Sequence, residues 1–281
     1  MAEPPAPAAT RESRRSRLER WSFDAVFGAL GGAAVLLLVA PTAVVLITSF
    51  TSAYTLKFPP PGYSLRWYRA LLDSSPEIIA AAVLSFRVAA AATAAAVVLG
   101  VAAALALARR RAAWAQVLDA VFMSPLMLPL LVLGLALLVL FSRLGVALGF
   151  TTLVLGHVAI TTPYVLRTTI ASYVQLEPEL LESARALGAR PWFLFRTVTL
   201  PLIAPGIAAG AFIAFMASFD NVAVSLFLSD ARSEVLPIRL WNLIESNLDV
   251  RAAAVSGVLV AGTVVLALVM ERIVGLSRHV R

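Results

Sequence analysis

Charged side chains are few in this sequence, and five of them lie in one patterned stretch. It runs from Glu179 to Gly206 and reads ELLESARALGARPWFLFRTVTLPLIAPG. Glu182 and Arg185 stand three residues apart, a helical spacing at which we expect a carboxylate and a guanidinium to pair. No nucleophile–base pair or carboxylate dyad in a plausible pocket accompanies them, so covalent and acid–base catalysis have no candidate residues. The stretch is therefore a candidate for contact with a partner and not for catalysis.

Metal, redox and nucleotide chemistry lack candidates as well. The sequence contains no cysteine, which excludes disulfides, thiolate chemistry and iron–sulfur ligation. Its two histidines, His157 and His279, lie far apart in the sequence, so a zinc site is not expected. No G-x-x-x-x-G-K-S/T loop is present to hold nucleotide phosphates. We expect no catalytic residue, no metal and no cofactor on this chain.

A few polar residues fall within or beside long apolar runs, where a charge is costly and usually functional. Asp220 has two interpretations. It is a structural carboxylate paired with a basic residue such as Arg87, or it is a contact for a cationic substrate with Asn221 beside it. Arg87 itself either extends to the membrane interface or belongs to a gate. His157 is interpreted as a hydrogen-bonded packing residue rather than a site. Asp220, Asn221 and Arg87 are the candidates for a substrate path.

Membrane-spanning helices must position these residues. The chain is 60% hydrophobic and 14% charged, with a mean hydropathy of +0.88, whereas soluble domains average about 45–50% apolar and about 25% charged residues. A helix needs about 20 apolar residues to cross a bilayer. We therefore predict an all-α membrane protein with six transmembrane helices. The predicted spans are Ala25–Ile47, Ile79–Ala108, Val121–Phe141, Thr151–Tyr173, Gly206–Leu228 and Ala252–Val274.

The basic residues predict how these spans are oriented. Fifteen of the 23 lysines and arginines fall on the side that holds both termini, which leaves eight for the other side. The positive-inside rule places both termini and residues 174–205 in the cytosol, and residues 51–77 and 229–251 outside. The net charge of +7 is thus attributed to orientation, and no nucleic-acid partner is expected. Residues 1–22 are predicted to form a disordered basic tail, and residues 23–281 the transmembrane domain.

The cytosolic connection at residues 174–205 is predicted to contain two short helices. Pro178 suits the first position of a helix, because its missing N–H has no partner there. Gly188 is expected to end that helix in a left-handed conformation, and a second helix is expected from Pro191 to Pro201. Two interpretations remain open: an amphipathic linker on the membrane surface, or a docking element for a cytosolic partner. The residues predicted to share one face of the first helix are Leu180, Ala184 and Leu187.

The letters ESARALGA, followed later by LP, resemble the EAA loop of binding-protein-dependent ABC importer permeases. Ser183 departs from that pattern by replacing one small residue with another. The resemblance implies a coupling helix that sits in a groove of an ATP-hydrolysing subunit, with Glu182 anchoring the loop, Ser183 and Ala184 allowing close contact, and Gly188 making the bend. The implied coupling residues are Glu182, Ser183, Ala184, Leu187, Gly188, Ala189, Leu200 and Pro201.

Beyond the tail, nearly the whole chain resembles the spermidine/putrescine-type permeases, specifically the second of their two permease subunits. The segments that carry the resemblance are Tyr63–Leu72, Met123–Phe141, Gly156–Tyr173, Ser218–Glu245 and Ala252–Gly262.

This resemblance implies a type I ABC importer permease (MetI-like) fold in the bacterial inner membrane. The implied partners are a second permease subunit, two ABC ATPase subunits that bind ATP and Mg, and a periplasmic substrate-binding protein. The implied substrate is a polyamine, while related branches import ferric iron, phosphonates, thiosulfate or opines. Two other classes of membrane protein are alternatives. An ion-coupled secondary transporter favours inverted repeats and broken helices around a midplane ion site, and a membrane-embedded enzyme needs the catalytic residues that are missing.

Overall fold

A computed structural model describes residues 14–110, 112–230 and 232–274. Over these residues the chain is all-α, which agrees with the predicted class. We number its helices in chain order, counting the continuous helix from Pro191 to Phe219 as one. They are α1 Arg14–Ser49, α2 Arg66–Asp73, α3 Pro76–Leu107, α4 Ala113–Met127, α5 Leu130–Arg143, α6 Phe150–Val174, α7 Pro178–Ala186, α8 Pro191–Phe219, α9 Ala223–Leu228, α10 Leu236–Asn247 and α11 Val250–Val274.

Four of the described helices are long and apolar enough to cross a membrane: α1, α3, α8 and α11. The count rises to five if the bent pair α4–α5 forms one span. The predicted fourth span coincides with α6, which has 25 residues but is not among these four. Threonines and His157 lower the hydropathy of α6. They are tolerated because α6 lies in the middle of the bundle, packed against both α3 and α8.

The predicted third span, Val121–Phe141, is not one continuous helix. The chain bends by 107° between α4 and α5. Leu128 adopts an extended conformation, with φ −89° and ψ 142°. The cause is Pro129, whose ring disfavours the helical conformation for the residue before it and which cannot donate a backbone hydrogen bond. The sequence did not predict this break, because the proline was treated as tolerable within a span.

The predicted boundaries of the fifth span, Gly206–Leu228, and of the second loop helix were also wrong. The loop helix does not stop at Pro201 but continues as α8 from Pro191 to Phe219. Five residues, Phe195–Thr199, form a π-helical turn, and the N–H of Leu200 bonds to the carbonyl of Phe195. Such a wide turn accommodates the proline that follows within the helix. The apolar run after Phe219 belongs to the separate helix α9.

Small residues bring the three central helices, α3, α6 and α8, into close contact. A Cβ on Gly206 would lie 2.1 Å from Ser172 Oγ, and one on Gly210 would lie 2.8 Å from the Cα of Val165. A Cβ on Gly100 of α3 would lie 2.9 Å from the Cβ of Val165. Helices in lipid pack through such surfaces, because van der Waals contact replaces the hydrophobic effect as the driving force. The core is therefore a tight three-helix unit.

The first helix lies at the edge of this bundle. It packs along α11, and in the segment Trp21–Ser49 the most apolar stretch buries no residue within the chain. The helix already begins at Arg14, so residues 14–22 are helical where a disordered tail was predicted. The rest of the predicted tail, residues 1–13, lies outside the described residues.

Candidate functional site

The helix α7 forms where the sequence predicts it. Pro178 occupies the first helical position after Glu177, which is extended, and this confirms the predicted start. Glu179 lies in the first turn, where a carboxylate interacts favourably with the positive end of the helix dipole. Leu181 is 4% exposed and attaches the helix to the rest of the chain. The other faces of α7 remain open to a partner.

Gly188 ends α7 in the manner that the sequence predicts. Its φ is +83°, a left-handed conformation that glycine adopts at little cost. The N–H of Gly188 donates to the carbonyl of Arg185 at 2.9 Å, and the N–H of Ala189 donates to the carbonyl of Ala184 at 3.1 Å. These two bonds are those of a Schellman motif. They fix the angle at which the chain leaves α7 for α8.

An exposed concavity surrounds this turn. Its volume is about 470 Å³, and its lining is largely apolar. Of the side chains that line it, Leu187 is 89% exposed and Phe193 on α8 is 58% exposed. An apolar surface of this kind next to arginines can receive the side chains of another protein. The lining residues are Ala184, Leu187, Gly188, Ala189, Arg190 and Phe193.

The remaining predicted coupling residues lie around this concavity rather than in it. Glu182 and Ser183 are exposed on α7. Leu200 and Pro201 lie further along α8, where Leu200 is half-buried and Pro201 is exposed. The predicted ion pair between Glu182 and Arg185 is absent: within the described part of the chain, neither side chain has a partner. The spacing permits the pair, but both groups extend into solvent, where such a pair contributes little.

Arg109 contacts the segment that leads into α7, and the sequence analysis missed it. It follows the end of α3, and its Nη2 donates to the carbonyls of Leu176 at 2.6 Å and Tyr173 at 3.4 Å. Its guanidinium carbon lies 4.9 Å from the centroid of the Tyr173 ring. Its partners are more than sixty residues away in the sequence, so no local pattern indicates the contact.

A second arginine joins α6 to α4 nearby. Arg167 Nη2 donates to Asp119 Oδ2 at 2.9 Å, and its Nε lies 3.1 Å from the sulfur of Met123. The end of α6 that leads to α7 is thus held by both α3 and α4.

At the other end of α8, two of the three candidate substrate-path residues, Asp220 and Asn221, occupy the break between α8 and α9. Asp220 is exposed and lines a concavity of about 540 Å³ together with Leu130 at the start of α5. Asn221 is buried, and its Oδ1 accepts the N–H of Val224 at 2.8 Å. Asn221 therefore caps α9, which is a structural role. The concavity lies where two helix breaks, α4–α5 and α8–α9, meet.

The suggested ion pair between Asp220 and Arg87 is not formed. The guanidinium of Arg87 lies 5.4 Å from the centroid of the Phe150 ring and lines a different concavity with Glu77, Arg232 and Glu234. Among the residues that the structure describes, no cation forms an ion pair with Asp220. Its carboxylate is consequently free to meet a cation from outside the chain.

His157 lies close to the same helix break and has a structural environment. It is 1% exposed. Its Nδ1 lies 2.7 Å from Ser218 Oγ on α8, and its Nε2 lies 3.0 Å from Ser225 Oγ on α9. With both ring nitrogens occupied, His157 links α6 to the two sides of the break, as expected of a hydrogen-bonded packing residue.

Ion pairs on the opposite side from α7 connect the start of α3 with α10 and α11. Arg251 bonds Asp249 at 2.7 Å and Glu77 at 3.3 Å, and Arg239 bonds Glu234 at 3.3 Å. Partial burial acts to raise the pKa of Asp249, but hydrogen bonds from Arg251 outweigh it and hold the pKa below its ordinary value. This network positions α10 over the end of the bundle.

Comparison with known proteins identifies what this architecture is similar to. A family model described as "Binding-protein-dependent transport system inner membrane component" matches residues 96–278. The spermidine/putrescine transport system permease protein PotC of Haemophilus influenzae is 30% identical over 218 residues, which cover 78% of this chain and 84% of that protein. The putrescine transport system permease protein PotI of Escherichia coli K12 is 31% identical over 219 residues, covering 75% of this chain and 77% of that protein.

A solved structure shares the fold. It is that of a bacterial ABC transporter involved in the import of the acidic polysaccharide alginate, with a TM-score of 0.69 at 14% identity. The match covers 94% of this chain and 99% of that one. At this identity the likeness concerns the arrangement of helices alone.

Proposed function

Because the chain belongs to the family of binding-protein-dependent transport system inner membrane components and is a permease subunit of an ABC importer, we propose a role in import for each of its two sites. The turn around Gly188 receives an ATPase subunit. The concavity at Asp220 contacts the substrate on its way through the membrane. The observation that carries the first assignment is the exposed apolar concavity at the α7–α8 turn, which Leu187 and Phe193 help to line.

In the proposed assembly, this chain pairs with a second permease subunit, two ABC ATPase subunits and an external binding protein. The spans are α1, α3, the bent pair α4–α5, α6, α8 and α11, which makes six and leaves both termini in the cytosol. The distribution of lysine and arginine supports this orientation. The membrane is the bacterial inner membrane, and ATP and Mg bind to the ATPase subunits only.

The coupling step follows from the geometry of the turn. Closure of the ATPase subunits on ATP moves the docked α7, and the Schellman motif passes that movement to α8 because it fixes the angle between the two helices. The helix groups then move as rigid bodies to open the pathway outward, and hydrolysis resets them. Glu182 and Ser183 lie at the edge of the docking surface and Ala189 lines it, while Leu200 and Pro201 belong to the helix that moves.

The proposed substrate is a polyamine. The names of the relatives PotC and PotI support this class, and so does a carboxylate without an ion-pair partner in the described part of the chain at the helix breaks. A carboxylate attracts a cation and repels phosphonate or thiosulfate, so of the related substrate classes those with positive charge fit Asp220 best.

Uptake of spermidine by the assembled importer in proteoliposomes tests the substrate assignment. Asp220→Asn removes the charge at almost constant volume, and we expect it to weaken uptake while assembly and basal ATPase activity persist. Asp73→Asn is the matched control, because Asp73 is an exposed carboxylate at the end of α2. Equal uptake by the Asp220 variant and the wild type contradicts the substrate contact, and loss of the assembled complex indicates a structural carboxylate instead.

The energy source separates the proposal from an ion-coupled transporter. We expect uptake to stop when the ATPase subunits lose their catalytic residues. We expect it to continue when ionophores dissipate ion gradients. The opposite pattern contradicts an ABC importer. The purified chain alone is expected to hydrolyse no ATP.

A further inference from the structure

Arg109 occupies a position from which it can control where α7 begins. Only residues 175–177 separate the end of α6 from the start of α7. The Arg109 guanidinium bonds the carbonyl of Leu176, in the middle of that segment, at 2.6 Å. A hydrogen bond to this carbonyl restricts the short connection, because three residues offer few ways to relocate the helix that follows.

The chemistry of the contact suits a firm attachment. The last carbonyls of a helix lack partners within it and carry partial negative charge, which a cation near the end of the helix complements. Arg109 meets the carbonyls of both Tyr173 and Leu176, and its planar guanidinium also faces the Tyr173 ring at 4.9 Å. These contacts hold one side chain from several directions.

Arg109 also connects this segment to the centre of the bundle. It stands two residues beyond the end of α3, and α3 packs against α6 so closely that Gly100 has no room for a Cβ beside Val165. A displacement of the segment before α7 is therefore passed to α3 through Arg109 as well as to α6 through the backbone.

We propose that Arg109 is a positioning residue for the coupling of ATP hydrolysis to transport: it fixes the start of α7 against α3, so that movement of α7 reaches the central helices. This inference rests on the proposed docking of an ATPase subunit at the α7–α8 turn. Arg109 itself lines neither the docking concavity nor the substrate path.

The neighbouring Arg110 provides a matched control. It is also exposed and belongs to the same connection, but its guanidinium faces the Trp114 ring at 5.6 Å and no bond from it to the α6–α7 segment is found among the described residues. Arg109→Ala and Arg110→Ala remove the same charge from the same loop. Only the former removes the contact with the Leu176 carbonyl.

The experiment uses the complete importer in proteoliposomes and measures spermidine uptake per ATP hydrolysed, together with amide hydrogen exchange. In Arg109→Ala we expect the ATPase subunits to remain bound, uptake per ATP to fall about five-fold or more, as coupling free energies in proteins imply, and exchange to rise in residues 175–187 but not in α3. Arg109→Lys, which keeps one donor near Leu176, should recover part of the coupling. Arg110→Ala should behave as the wild type.

Two outcomes overturn the inference. One is equal coupling in the Arg109→Ala and Arg110→Ala variants. The other is increased exchange throughout α3 in Arg109→Ala, which indicates a general loss of structure. Gly188→Val, measured in parallel, separates failure of the Arg109 role from failure of the docking proposal. If Gly188→Val uncouples transport while Arg109→Ala does not, the docking proposal survives and the role of Arg109 fails. If Gly188→Val leaves transport intact, the docking proposal itself fails.

Discussion

Replacing Gly188 by valine is expected to uncouple ATP hydrolysis from transport without unfolding the membrane helices. The φ of +83° lies in the left-handed region, where a β-branched residue costs about 1–2 kcal/mol. A Cβ at this position would meet no atom within 4 Å, so no clash adds to that strain. A cost of this size lowers the population of the native turn about 5–30-fold. This free-energy cost is small compared with the stabilisation that packing gives the central helices.

The outer glycine Gly145 supplies a control with the same backbone property. Its φ is +68° and it also has free space around a Cβ, but it follows α5, in the part of the chain assigned to the opposite membrane side from α7. Both variants would be purified with the partner subunits and assayed for retention of the ATPase subunits, ATP hydrolysis and spermidine uptake. We expect Gly188→Val to retain the ATPase subunits weakly and to fail in uptake, while Gly145→Val transports normally.

Three results would contradict the expected effect of Gly188→Val. Wild-type uptake with stably bound ATPase subunits in Gly188→Val would refute the coupling role and leave α7 as an amphipathic linker. Failure of this variant to insert or to bind the second permease would refute the claim that the cost is local. Failure of Gly145→Val in the same manner would show that strain, and not its position, causes the defect.

Two further outcomes are expected. Gly206→Val should destabilise the purified chain more than Gly188→Val, because a Cβ there would lie 2.1 Å from Ser172 Oγ and 2.7 Å from the backbone oxygen of Thr168, and overpacking costs about 1–3 kcal/mol. A thermal unfolding midpoint equal to that of the wild type contradicts the close contact of α6 and α8. A reporter fused after Arg281 should indicate the cytosol and one inserted near Arg232 the outside, and a shared location contradicts the six-span topology.

Local signals in the sequence predicted local structure well. Pro178 and Gly188 bound α7 as expected, because a proline at the first helical position and a glycine after the last are determined by a few neighbouring backbone groups. The two errors at prolines both concern whether a helix continues through the proline. Pro129 breaks a span, whereas the helix continues through Pro201 after a π-helical turn, and no pattern in the residues announces either outcome.

Contacts between distant segments were the part that the sequence could not supply. Arg109 was counted only among the residues that orient the chain, and its partners lie in another helix. The free Asp220 carboxylate and the capping role of Asn221 follow from where α8 ends, which hydropathy placed nine residues too late at Leu228. Hydropathy measures how favourably a segment transfers into lipid, whereas the position at which a helix ends depends on side-chain caps and on packing.

The continuity of α8 has a mechanical consequence. With 29 residues at 1.5 Å per residue, it forms a lever arm of about 43 Å that begins three residues after Gly188 and ends beside Asp220. Rotation of the whole helix by about 10° about its Pro191 end, as a rigid rod, would carry the far end through about 7 Å. The compliant elements, the π-helical turn, Pro201 and Pro205, all lie between Pro191 and Gly206, so the arm beyond Gly206 is the stiffer part. In the proposed coupling, a push at the α7–α8 turn would therefore reach the Asp220 carboxylate as a displacement of the far end of α8.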